Sequence, residues 1–119
     1  MKHIVIYEED YLTRTLLRDW LTKAGYRVHL GTLREASRNW KADLVIVSIF
    51  MPKQAGALLV RDIEKAHPGT PLIAISGQFR PGLSACGTTA QSLGVQLVIA
   101  KPLFHRDLLE AVRGIIGKP

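Results

Sequence analysis

Three short runs in this chain, Ile4-Val5-Ile6, Leu44-Val45-Ile46-Val47 and Leu72-Ile73-Ala74-Ile75, are apolar at every position. A strand with one wet face alternates apolar and polar side chains, so a run without alternation belongs to a strand covered on both faces. Parallel sheets meet that condition, because each crossover between parallel strands lays a helix against the sheet. Segments of helical period lie between the runs. The expectation is an α/β fold with strands at His3 to Tyr7, Arg27 to Leu30, Leu44 to Val47, Leu72 to Ile75 and Gln96 to Ile99.

The intervening segments carry start and stop signals for helices. Asp10 is placed to cap a helix from Tyr11 to Ala24, and Gly25 to end it in the left-handed conformation. Its apolar stripe is Leu12, Leu16, Leu17, Trp20, Leu21 and Ala24. Thr32-Leu33-Arg34-Glu35 is a capping box that opens a second helix with Leu33, Ala36 and Trp40 on one face. A third, from Ala57 to His67, is expected to bury Leu59, Ile63 and Ala66, and Pro68-Gly69 with Pro71 stops it. Gly82, Gly87, Thr88 and Thr89 weaken helix formation between Gly77 and Gly94, so a fourth helix there is expected to be short. The fifth, from Arg106 to Ile116, presents Leu108, Leu109, Val112 and Ile116. At 119 residues the chain fits one domain, residues 1–119, without an internal repeat.

A formal charge of +6 raises nucleic acid or an acidic protein as partners. The basic residues are scattered from Arg14 to Arg113, with no dense run and no stacking aromatics between them. They read as solvated helix faces, which disfavours nucleic acid and leaves binding of nucleic acid or of an acidic partner as a minor alternative. No apolar run reaches the roughly 20 residues that span a bilayer, and Met1 to Ile6 leads into acidic residues, unlike a secretory signal. No membrane role and a cytoplasmic location are expected. Cys86 is alone and cannot form an internal disulfide. His3, His29, His67 and His105 are dispersed and read as surface or structural residues.

In a doubly wound sheet, ligands gather at the carboxyl ends of the strands. Glu8, Glu9 and Asp10 follow the first strand, Ser48 and then Met51-Pro52 the third, Ser76-Gly77 the fourth, and Lys101-Pro102 the fifth. Acidic residues gathered with a hydroxyl and a lysine suggest a cation site beside a phosphoryl site. Singly, these are also a helix N-terminus, a turn and a strand stop; their order is what is specific. In that order, over essentially its whole length, the chain resembles the receiver domains of bacterial two-component response regulators. The resemblance implies a flavodoxin-like (βα)5 fold with a five-stranded parallel sheet in the order 2-1-3-4-5. It also implies a signalling role in a phosphorelay, with no enzymatic activity of its own.

Two departures bear on function. The resemblance places Ser48 where the family carries its phosphoacceptor aspartate. A carboxylate is an anion at neutral pH, whereas a serine hydroxyl needs a base or metal to become a nucleophile. Aspartyl phosphorylation is then unavailable, with Ser76 and Lys101 left as pocket residues. Glu8 and Glu9 become a vestigial magnesium site that either binds the cation weakly or, the favoured expectation, pairs with Lys101 instead, and no other cofactor is expected. Family members usually carry an aromatic residue three positions before the lysine, where this chain has Val98. The resemblance implies a contact face that includes Val98, Phe104 and Arg106. Its partner would be a histidine kinase, an output domain, another regulator or a second copy of the chain. The alternatives are a kinase that phosphorylates Ser48, retained metal-dependent phosphoryl chemistry, or a flavodoxin-like cofactor enzyme. The last lacks the Gly-, Ser- or Thr-rich loop that a bound phosphate needs after the first strand.

Overall fold

The non-alternating runs lie side by side in the middle of a parallel sheet. The computed structural model describes residues 2–8, 10–31, 42–48, 54–76, 95–100 and 104–118. Its strands are β1 (His3–Tyr7), β2 (Arg27–Leu30), β3 (Leu44–Ser48), β4 (Leu72–Ser76) and β5 (Leu97–Ala100). They pair in parallel in the order β2-β1-β3-β4-β5, as the resemblance implied. The described helices are α1 (Tyr11–Lys23), α2 (Gln54–Ala66) and α3 (His105–Ile116). The helix expected at Thr32 and the segment from Gly77 to Gly94 lie outside the described residues. Gln54 opens α2 three residues before the expected Ala57, because Gly56 inside the first turn does not prevent a helix that packing supports.

Alternation along each strand sends its side chains to two different helical layers. Ile4, Ile6, Leu44, Ile46, Ile73 and Ile75 form one core with Leu17 and Leu21 of α1 and Leu108 and Val112 of α3. Val5, Tyr7, Val45, Val47, Ala74 and Val98 form the other with Val60 and Ile63 of α2. The stripe expected on α1 needs correction. Leu17 and Leu21 are buried and Trp20 and Ala24 flank them, but Leu12 is 71% and Leu16 47% exposed. A helix buries only the rows that its neighbours cover, and the row through Leu12 and Leu16 lies beside the covered one.

Local chemistry fixes the helix ends. The Asp10 carboxylate accepts from the Thr13 amide at 2.9 Å and the Thr13 hydroxyl at 2.7 Å. At the far end Gly25, with φ of 103°, lets the Gly25 amide reach Thr22 O and the Tyr26 amide reach Leu21 O, a complete Schellman closure. The terminal carbonyls of α3 are satisfied from outside the helix. Lys2 Nζ donates to Ile116 O, and the Tyr26 hydroxyl donates to Gly117 O at 2.7 Å.

Tyr7 ties the end of β1 to two other parts of the fold. Its hydroxyl and His67 Nε2 are 2.7 Å apart in the interior, just past the end of α2. Its ring also lies under Gly31, where an added Cβ would stand 2.7 Å from Tyr7 Cε1. Gly31→Ala must therefore displace a core aromatic ring, and about 1–3 kcal/mol of stability should be lost in urea unfolding. Burial lowers the His67 pKa below its ordinary value of 6.5. The unfolded chain then takes up a proton near that value while the folded chain does not. Stability contributed by neutral His67 is thus complete above pH 6.5 and is lost as the pH falls through and below it. The urea midpoint should drop between pH 7.5 and pH 5.5, and His67→Gln should shrink that drop.

Candidate functional site

The carboxyl edge of the sheet is set by strand register. Tyr7 pairs with Val47, so the residues that follow, Glu8 and Ser48, stand on neighbouring strands about one strand spacing, or roughly 5 Å, apart. Ser48 in turn pairs with Ile75, and Ser76 with Ala100. Glu8, Ser48, Ser76 and the strand that leads into Lys101 therefore meet at one end of the sheet. The sequence predicted that meeting. By alternation Glu8 falls in the row of Ile4 and Ile6, and Ser48 in the row of Leu44 and Ile46, so both belong to the face covered by α1 and α3.

Glu8 is buried at 8% exposure and its Oε1 accepts from the Asp10 amide at 3.0 Å. Ser48 is half-buried at the end of β3. Asp10, the third acidic residue, spends its carboxylate on the cap of α1. Glu9 and Lys101 lie outside the described residues, and so does the ion pair expected between the acidic loop and the lysine. Among the described residues, no group of three or more His, Cys, Asp and Glu side chains could hold a metal ion.

The expected contact face divides. Phe104 is 61% exposed at the start of α3. Arg106 is exposed as well, 3.7 Å from Glu110 in a solvated pair that adds little stability. Val98 needs correction as a contact residue. It is 3% exposed, packed in the core on the α2 side, because the alternation of β5 turns it inward. Trp20 of α1 meets His105 of α3 edge-on, with ring centroids 5.3 Å apart, at a seam between the two helices. Sequence reasoning missed this seam, and it missed two histidine contacts, Tyr7 with His67 and His3 with His29. The signal for the second was the pairing of β1 with β2, which sets Val5 against His29 and His3 against Arg27.

Parallel strands in this order, with carboxylate and hydroxyl side chains at their carboxyl ends, define a doubly wound domain of the flavodoxin-like class. Residues 4–113 match the response regulator receiver domain, and the chain belongs to that family. It is 29% identical over 121 residues to the TorCAD operon transcriptional regulatory protein TorR of Escherichia coli K12, which covers 98% of this chain and 50% of TorR. It is also 29% identical over 119 residues to the chemotaxis protein CheY of Thermotoga maritima, covering 96% of this chain and 97% of CheY. A response regulator structure from Thermotoga maritima shares the fold, with a TM-score of 0.80 at 24% identity over 99% of both chains. This chain thus spans about half the length of TorR. Receiver domains serve two-component signalling, where they engage histidine kinases and output domains.

The bond from Asp10 to Glu8 gives this site a test of its own. Glu8→Gln keeps an acceptor at that position and should change stability by less than about 0.5 kcal/mol, while Glu8→Ala removes it and should cost about 1 kcal/mol. Thermal unfolding of the two variants checks the difference.

Proposed function

We propose that residues 1–119 form one receiver domain in which aspartyl phosphorylation has been lost and protein binding carries the signal. The observation that supports this reading is Ser48, a neutral alcohol at the end of β3, in the place beside Glu8 where the register brings side chains from β1 and β3 together. Phosphoryl transfer to an aspartate uses an oxygen that is already anionic, and the Ser48 hydroxyl is not. Magnesium favours a regular shell of oxygens anchored by carboxylates. The described residues offer it one carboxylate, Glu8, with Oε1 already accepting from Asp10, and one neutral hydroxyl. These donors do not fit a resident magnesium ion, so Glu8, and Glu9 with it, are read as vestiges of a cation site.

Val98 supports the same reading from the neighbouring strand. A core valine packed with Ala74 has no rotating ring with which to report a change at Ser76. What remains for signalling is surface. Phe104 and Arg106 stand exposed at the start of α3, and the formal charge of +6 favours an acidic protein as the partner. A cytoplasmic location accords with helices of which none, among the described residues, is long and apolar enough to cross a membrane.

Amide spectra recorded with magnesium and beryllofluoride test the proposal. No saturable shift around Ser48 and Ser76 is expected, and a saturable set centred there would overturn it. Ser48→Asp should restore part of the response, since it returns an anionic oxygen beside Glu8. In that variant, but not in the wild type, magnesium should raise the melting temperature by relieving two neighbouring carboxylates.

A further inference from the structure

A second constellation lies toward the other end of β1. His3 Nδ1 and His29 Nε2 face each other across the β1–β2 pair at 2.9 Å, with ring planes only 7° apart and centroids 5.2 Å apart. The centroids are separated by about two ring radii more than the nitrogens, so the imidazoles meet edge to edge with their nitrogens aligned head-on, at a point now occupied by the one proton they share. We propose that this point is a binding site for a borderline-soft divalent cation such as Zn2+ or Ni2+, held by His3 Nδ1 and His29 Nε2, with solvent in its remaining positions.

Imidazole nitrogens suit these ions. A zinc–nitrogen bond of about 2.0–2.1 Å sets two ligands of a tetrahedral site about 3.3 Å apart, so the ion would replace the shared proton as the nitrogens part by about 0.4 Å and the two rings tilt out of their head-on alignment. Hydrogen-bonded pairing across strands fixes the backbone of both residues, since His3 pairs with Arg27 and Val5 with His29. Asp43 sits on the other side of His3. Its Oδ2 accepts from the His3 amide at 2.7 Å, and its own amide donates to His3 O at 2.8 Å, which holds the His3 backbone in place. Burial, His3 and Arg27 all lower the His29 pKa, which favours the neutral, ligating form at pH 7. Arg27 is the cation that opposes metal binding. An ion bound here would clip the edge strand β2 to β1, and it would be independent of the pocket at Ser48.

Titration of the whole chain with Zn2+, followed through histidine ring resonances and by calorimetry, tests the site. One equivalent should saturate it, with His3 and His29 shifting and His67 and His105 unmoved. Affinity should fall at least tenfold in His29→Gln and fall again as the pH drops below 6 and protons compete for the same nitrogens. Paramagnetic Ni2+ on the wild type locates the ion without any substitution, and line broadening should centre on residues 3–5 and 27–29. Magnesium should produce none of these changes. No saturation below millimolar zinc, broadening centred on His67 or His105, or an affinity unchanged by His29→Gln would overturn the proposal.

Discussion

Burial of β1 and β3 on both faces is the constraint from which the rest of the molecule follows. Ile4, Ile6, Leu44 and Ile46 are sealed under α1 and α3, and Val5, Val45 and Val47 are sealed under α2. A one-residue slip of either strand would exchange the two sets and place each row of side chains against the wrong helical layer. The pairing of Tyr7 with Val47 is therefore fixed by packing. Fixed with it is the meeting of the next two residues, Glu8 and Ser48. The site inherits its geometry from the core and does not depend on its own interactions to assemble.

That separation explains how a receiver fold persists with a neutral residue at the end of β3. Nothing in either core requires a charge at position 48, and Ser48 takes its place at the strand terminus with its backbone paired to Ile75. The chemistry can change while the scaffold is conserved, because function resides in side chains carried at the strand ends. Val98 belongs to the same pattern, an ordinary core residue on a strand whose neighbours need only its volume.

The sequence was most legible where a physical signal is local. Non-alternating apolar runs gave β1, β3 and β4 to within one residue, since only two-sided burial produces them. Asp10 and Gly25 marked the ends of α1 because capping depends on neighbours within one turn. The convergence of Glu8, Ser48 and Ser76 was readable from the parallel topology alone. Features that depend on distant neighbours were harder to read. Leu12 and Leu16 have the same apolar chemistry as Leu17 and Leu21, and only the placement of surrounding elements decides which row is covered. His3 and His29 are separated by the whole of α1, and it takes the register between β1 and β2 to bring their rings into contact. Val98 looked like surface by resemblance, while the alternation of β5 assigns it to the interior.

On the proposed reading, Ser48 does not accept a phosphoryl group as a receiver aspartate does. Intact mass after incubation with excess acetyl phosphate and magnesium measures this directly, with hydroxylamine treatment to reveal any acyl phosphate. The expected result is an unmodified chain. A single phosphoryl adduct that hydroxylamine removes would contradict the account.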